Sequence, residues 1–209
     1  MSPGAVLTIV ATVGALTFEG LDRRPGVWVC KPLAASGFLW AALSWGALSH
    51  TYGQWIFAGL CLSWVGDMAL MRRTKGFFLF GLSAFLLGHV AYIGAFAARG
   101  LDLTALAWAT APMILGALVV ARMLKGHVRG GMVWPVRAYM LVITVMATLA
   151  WGTFGYAPDW LITAGATAFW ASDISVARDR FMGAGFGNRL WGVPAYFGGQ
   201  LLLAWSVAS

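Results

Sequence analysis

Residues 77–98, FFLFGLSAFLLGHVAYIGAFAA, form a run of 22 residues without a charged side chain. The run lies between Lys75 and Arg99. A transmembrane helix needs about 17 to 25 predominantly apolar residues to cross a bilayer. We therefore interpret this run as a helix that spans a membrane.

Seven more apolar blocks of similar length account for most of the remaining sequence. Sixty per cent of the 209 residues are apolar and 10% are charged, whereas a soluble domain has about 25% charged residues. The sequence predicts an all-α integral membrane protein, a bundle of about eight transmembrane helices that forms one polytopic domain over residues 1–209. The predicted spans are 3–18, 33–49, 54–71, 77–98, 103–121, 134–154, 159–177 and 190–208.

The basic residues are distributed very unevenly along this predicted topology. The stretches after spans two, four and six hold only Arg99, and thirteen of the 14 basic residues follow the odd-numbered spans. This positive-inside pattern predicts a multi-pass protein of the cell (inner) membrane with both termini outside the cytoplasm. The net charge of +7 therefore marks topology and gives no reason to expect a nucleic-acid partner. The thirteen are Arg23, Arg24, Lys31, Arg72, Arg73, Lys75, Arg122, Lys125, Arg129, Arg137, Arg178, Arg180 and Arg189.

Two aspartates lie inside predicted spans, Asp67 in span three and Asp173 in span seven. A carboxylate within the bilayer costs about 2.5–3.5 kcal/mol on insertion scales, so such residues are functional candidates. Each precedes an arginine by five residues, Arg72 and Arg178, which places both carboxyls about 7–8 Å inside the cytoplasmic end of their helices. A shared polar site is the favoured interpretation, and hydrogen-bonded ties between helices are the alternative.

Other polar residues of the spans are candidates for lining a cavity with these aspartates. Tyr92 follows His89 by three residues and Gln200 follows Tyr196 by four, so each pair shares a helix face. Tyr139 lies just inside span six. His89 lies about 21 Å from the cytoplasmic end of its helix, so we do not expect it to contact the aspartates directly. An interhelical hydrogen bond is the alternative role for His89.

Motifs for metal binding are missing from the sequence. The three histidines, His50, His89 and His127, form no H-x-x-x-H or H-E-x-x-H pair. Neither a G-x-S-x-G elbow nor a phosphate-binding glycine loop is present. We therefore expect no metal site and no organic cofactor.

Four segments resemble, in order and spacing, the bacterial YhhN family and its animal relatives, the lysoplasmalogenases. They are LSWVGDMAL at 62–70, FLLGHVAY at 85–92, ASDISVARDRF at 171–181 and PAYFGGQLL at 194–202. The resemblance implies hydrolysis of the vinyl ether bond of lysoplasmalogens, lysoplasmenyl-ethanolamine or -choline, to a fatty aldehyde and a glycerophospho head group. It also implies that Asp67 and Asp173 are the catalytic pair, with a lysophospholipid and the surrounding membrane lipids as partners.

Two buried carboxyl groups suit this chemistry. Vinyl ethers hydrolyse by proton transfer to the carbon beta to the oxygen, and water then captures the resulting oxocarbenium ion. The reaction needs an acid and an anion, and two carboxyls in a low-dielectric pocket divide into one protonated and one ionised group. Lys31 and Arg180 lie at the predicted cytoplasmic boundary and are candidates for binding the lipid phosphate. Anchoring of the topology is the alternative role for both.

Three other functions would use the same two aspartates. A proton-coupled transporter would relay protons through them, and would transport in sealed vesicles without releasing aldehyde. An intramembrane aspartyl protease is a second alternative, although Trp64 stands where the G-x-G-D pattern has its first glycine and Tyr196 where Pro-Ala-Leu has its leucine. A non-catalytic lipid-binding or structural protein is the third.

Overall fold

The computed structural model describes residues 1–72, 74–157 and 159–208, and this part of the chain forms eight α-helices with no strand. The observed architecture confirms the predicted all-α membrane bundle, whereas the assignment of residues 1–209 to a single domain stays a prediction. The helices are α1 (Pro3–Gly20), α2 (Arg24–Ser44), α3 (Thr51–Leu70), α4 (Lys75–Arg99), α5 (Leu103–Leu124), α6 (Val133–Tyr156), α7 (Trp160–Met182) and α8 (Gly185–Trp205).

Five of these helices are long and apolar enough to cross a membrane by length and composition: α1, α2, α4, α5, and α6 with the short turn before it. Helices α3, α7 and α8 fall short of that threshold. They carry the polar residues Asp67, Asp173 and Gln200, which lower their mean hydropathy. The chain is thus a multi-pass membrane protein whose most polar helices carry the candidate site.

The helix ends follow from local sequence signals. The side chain of Thr74 accepts a hydrogen bond from the Phe77 amide at the start of α4, and Asp102 caps α5 in the same way. Such caps satisfy amides that have no partner within the helix. Helix α7 ends at Gly183, whose φ of 66° lies in the left-handed region that glycine adopts without strain.

Helix α2 departs most from the predicted spans. It begins at Arg24, nine residues before the predicted start of span two, so Lys31 lies within the helix rather than in a loop. Proline is tolerated in the first helical turn because its missing N–H needs no partner there, and Pro25 occupies that position. Placing span ends by charge therefore gave a wrong boundary at this end of the bundle. Arg73 lies outside the described residues.

Close helix contacts depend on glycines that face bulky neighbours. A Cβ at Gly59 of α3 would lie 2.4 Å from the Tyr92 ring of α4. In the α7–α8 pair, a Cβ at Gly199 would lie 2.8 Å from the carbonyl oxygen of Gly165. Small residues at such positions let membrane helices approach closely. These contacts hold α3 to α4 and α7 to α8, and thereby fix the helices that carry the aspartates.

Candidate functional site

A cavity of about 260 Å³ lies among helices α2 to α8. Asp67 of α3 and Asp173 of α7 both line it. Most of the other lining side chains are aliphatic or aromatic, among them Phe78, Phe85 and Phe197. The two carboxyl groups therefore lie on the walls of one largely apolar chamber, as the sequence predicts for a shared site.

Each aspartate accepts a hydrogen bond from a tyrosine on another helix. The Tyr139 hydroxyl of α6 donates to Oδ2 of Asp173 over 2.5 Å. The Tyr196 hydroxyl of α8 donates to Oδ2 of Asp67 over 2.7 Å. Both tyrosines line the cavity, as we expected of them. The site thus consists of two separate tyrosine–aspartate pairs, and each pair joins two helices.

His89 lies much closer to the aspartates than its position in the sequence suggested. Its Nε2 is 3.9 Å from Oδ2 of Asp173, and its ring packs edge-to-face against Tyr139. The expectation that His89 stays away from the aspartates is therefore wrong. The reason is that α7 continues to Met182, so Asp173 lies about 13 Å inside its helix end rather than about 7–8 Å.

A layer of buried polar groups adjoins this histidine. The Tyr92 hydroxyl donates to Oε1 of Gln200 over 2.7 Å, and both side chains are fully buried. Tyr92, Gln200 and His89 do not line the cavity. Ser63, which the sequence reasoning did not single out, is also fully buried, and its hydroxyl makes no hydrogen bond within the described part of the chain. These residues lie behind the walls of the cavity and do not form its surface.

Of the two cations predicted to bind the lipid phosphate, Lys31 and Arg180, only Lys31 lines the cavity. Lys31 lines the cavity and forms no ion pair with any residue that the structure describes. Arg180 does not line it; its guanidinium lies 4.3 Å from the centre of the Phe78 ring. This arginine packs against an aromatic wall of the chamber instead of opening into it.

A different arginine lines the cavity, and sequence reasoning missed its role. Arg189 of α8 lines the cavity and pairs with Asp179 of α7, with Nη2 2.8 Å from Oδ2. Its Nη1 pairs with Glu19 of α1 over 2.5 Å. The signal in the sequence was spacing, because Arg189 precedes Tyr196 by seven residues and so shares its helix face. The cluster ties α1, α7 and α8 together, and its two carboxylates leave it one negative charge in excess.

The arrangement supplies carboxyl groups, hydroxyl donors and the ammonium group of Lys31, which has no ion pair among the residues that the structure describes. Among the described residues, no three His, Cys, Asp or Glu side chains come together in a group that could hold a metal ion. Two carboxyls within a largely apolar chamber are suited to general acid catalysis combined with stabilisation of a cation.

Comparisons with known proteins agree on one family. The model of the YhhN family matches residues 26–207. Lysoplasmalogenase TMEM86B of Mus musculus is 34% identical over 178 residues, which cover 83% of this chain and 71% of the relative. Lysoplasmalogenase of Mycobacterium bovis is 30% identical over 210 residues, covering 93% and 75%. Lysoplasmalogenase TMEM86A of Homo sapiens is 30% identical over 165 residues, covering 76% and 67%. No solved structure matches the chain.

Proposed function

The chain belongs to the YhhN family, and from this premise we propose that it hydrolyses the vinyl ether bond of lysoplasmalogens. The products are a fatty aldehyde and glycerophospho-ethanolamine or -choline. Relatives from mammals and from a bacterium carry the name lysoplasmalogenase, which supports an ether hydrolase. The observation that carries the proposal is the placement of Asp67 and Asp173 on one cavity, each with its own tyrosine donor.

The proposed reaction begins with proton transfer from the protonated aspartate to the substrate. The proton goes to the vinyl carbon beta to the ether oxygen, and the C=C π electrons form the new C–H bond. An oxocarbenium ion results, and the ionised aspartate stabilises it across the low-dielectric cavity. Such a general acid contributes about 10²–10⁴-fold in rate.

Water completes the cycle without a net change in protons. It adds to the oxocarbenium carbon and gives one proton back to the carboxylate that acted as the acid. The resulting hemiacetal breaks its C–O bond to glycerol, moves its hydroxyl proton to that oxygen, and leaves as the aldehyde. Both aspartates thereby return to their starting states.

The two tyrosines have a defined part in this scheme. Each hydroxyl holds one oxygen of its aspartate, Asp67 for Tyr196 and Asp173 for Tyr139, so that the other oxygen faces the substrate. A hydrogen bond to an ionised acceptor contributes about 1.5–3 kcal/mol. The aspartate that stays ionised therefore depends on its tyrosine more than the aspartate that carries the proton.

Lys31 is the proposed contact for the lipid phosphate. It is the cation of the cavity without an ion pair among the described residues, whereas the guanidinium of Arg189 already pairs with two carboxylates. An ammonium group binds phosphate as a compact charge. The phosphate would thus lie at the cytoplasmic end of the cavity, with the vinyl ether at the aspartates.

We propose an orientation that agrees with this placement. Apart from Arg99 at the end of α4, the basic helix ends, including Arg24 of α2 and Arg122 of α5, would lie on one side of the bundle if successive helices cross the membrane in alternating directions. By the positive-inside rule this side faces the cytoplasm, and both termini lie outside. The substrate would then come from the cytoplasmic leaflet of the inner membrane.

An aldehyde-release assay on purified protein tests the function. Lysoplasmenyl-ethanolamine should yield a fatty aldehyde, and the saturated alkyl ether analogue should not, because it has no double bond to protonate. Asp67→Asn and Asp173→Asn should each abolish turnover while the protein stays folded. Turnover of both lipids, or of neither, would contradict vinyl ether protonation, and full activity in either variant would refute the paired-acid mechanism. Proton-coupled transport in sealed vesicles without aldehyde release would favour a transporter.

A further inference from the structure

The cavity has an apolar part beyond the aspartates, which we call the chain branch. No charged residue belongs to it, and the one hydroxyl among its members, on Thr144, donates to the Met140 carbonyl within α6 over 2.7 Å. A surface of this kind suits a hydrocarbon ligand. The chain branch consists of Ala117 and Val120 of α5, Ile143 and Thr144 of α6, and Trp170 of α7.

Helix register places the chain branch and the charged end of the cavity on opposite sides of the aspartates. On α7, Trp170 precedes Asp173 by three residues, about 4.5 Å of helical rise, whereas Asp179 follows Asp173 by six residues, about 9 Å in the other direction. On α6, Ile143 lies one turn beyond Tyr139, which hydrogen-bonds Asp173. The cavity is therefore charged at one end and apolar at the other, with the acids between them.

Helix α5 is the wall between the chain branch and the surrounding lipid. Ala117 and Val120 line the cavity, whereas Leu118 and Val119 between them are 61% and 60% exposed on the outer face. A Cβ at Gly116 would lie 2.8 Å from the Trp170 ring, so α5 packs closely on α7 at this level. A hydrocarbon chain that fills the chain branch therefore ends against Ala117, and only α5 separates that end from the acyl region of the bilayer.

We propose that the chain branch binds the alkenyl chain of the substrate and that Ala117 limits the chain lengths which the enzyme accepts. The identity of this ligand rests on the proposed function. In a lysoplasmalogen the vinyl ether joins the glycerol head group directly to the hydrocarbon chain. With the phosphate at Lys31 and the vinyl ether at the aspartates, the hydrocarbon extends into the chain branch, away from the charged end of the cavity. Its apolar lining matches that chain, and its cover by α5 places Ala117 where the chain ends.

A pair of tryptophan substitutions on α5 tests the proposal through substrate preference. Ala117→Trp should lower kcat/KM by about tenfold or more for a hexadecenyl substrate, because bulk in an apolar pocket discriminates by chain volume. It should change kcat/KM less than about twofold for a butenyl analogue, whose chain ends before α5. Leu118→Trp adds the same side chain to the lipid-facing side of the helix and should leave both values near wild type. An equal loss for the two chain lengths in Ala117→Trp would overturn the proposal.

Photolabelling supplies a measurement that needs neither turnover nor a substituted protein. A saturated alkyl ether lysophospholipid with a diazirine in its chain is irradiated with the wild-type protein in lipid nanodiscs, and the labelled peptides are sequenced. Label that concentrates on 117–120 and 143–144, and that excess unlabelled lipid displaces, supports the proposal. Label confined to other parts of the chain overturns it. A labelled chain branch without aldehyde release from any vinyl ether would reject the hydrolase function and leave the binding site standing.

Discussion

Replacing each tyrosine of the site by phenylalanine should show which aspartate is the anion. Tyr139→Phe removes the hydroxyl that donates to Asp173 over 2.5 Å. Tyr196→Phe removes the one that donates to Asp67 over 2.7 Å. Each change takes away one oxygen atom and adds no volume, and the aromatic contact of the ring, for example that of Tyr139 with His89, is retained. The folded structure should therefore survive in both variants.

The expected magnitudes differ because the two aspartates differ in charge in the proposed mechanism. Loss of a hydrogen bond to an ionised carboxylate costs about 1.5–3 kcal/mol, which corresponds to about 13- to 160-fold in kcat/KM at about 1.36 kcal/mol per factor of ten. Loss of a bond to the protonated carboxyl costs about 0.5–1.5 kcal/mol, or about 2- to 13-fold. The variant with the larger loss identifies the aspartate that stabilises the oxocarbenium ion.

The assay is aldehyde release from lysoplasmenyl-ethanolamine by purified variants, with their thermal unfolding compared with that of wild type. Tyr156→Phe is the matched control, because Tyr156 is 67% exposed at the far end of α6 and should keep full activity. Wild-type kcat/KM in both Tyr139→Phe and Tyr196→Phe would refute the reasoning that these hydroxyls support the acid and the anion. Equal losses in the two variants would refute the division of roles between the aspartates.

Three further predictions concern binding and stability. Lys31→Met should raise KM for the phospholipid by about fivefold and lower kcat less, and it should leave an uncharged vinyl ether analogue unaffected; steady-state kinetics with both substrates will show this. Arg189→Gln leaves two carboxylates without their cation and should lower the thermal midpoint by about 2–8 °C, with Arg189→Lys restoring part of it. Gly199→Ala should lower the thermal midpoint because its Cβ would meet the Gly165 carbonyl. Gly198→Ala should leave the midpoint unchanged, because its Cβ would point into open space.

Residue type and spacing were sufficient to predict the fold class and five of the side chains that line the cavity, Lys31, Asp67, Tyr139, Asp173 and Tyr196. Apolar blocks gave the helices, and the cost of a carboxylate in lipid identified Asp67 and Asp173 before any contact was known. Helical spacing also placed Tyr196 with Gln200 on one face. None of these signals depends on how neighbouring helices are shifted along their axes.

The wrong predictions concern how far individual helices extend and how neighbouring helices are aligned along their axes. Charge marks where a helix meets the lipid headgroups and not where it ends, so α2 and α7 extend beyond their predicted limits by nine and five residues. The longer α7 places Asp173 deeper in its helix than predicted, within reach of His89. The tyrosine–aspartate pairing likewise depends on which helices are neighbours, and a single sequence does not contain that information.

The distribution of polarity among the helices connects the fold with the proposed chemistry. The three helices that fall short of a membrane-spanning composition, α3, α7 and α8, supply Asp67, Asp173 and Tyr196, and the more apolar helices pack around them. Unpaired polar groups cost several kcal/mol in lipid, and the aspartates avoid that cost by pairing across helices, Asp67 with Tyr196 of α8 and Asp173 with Tyr139 of α6. The same arrangement leaves the carboxyls in a largely apolar chamber, the environment that the proposed acid requires. The requirement for a stable bundle and the requirement for an acid beside an anion thus select the same packing.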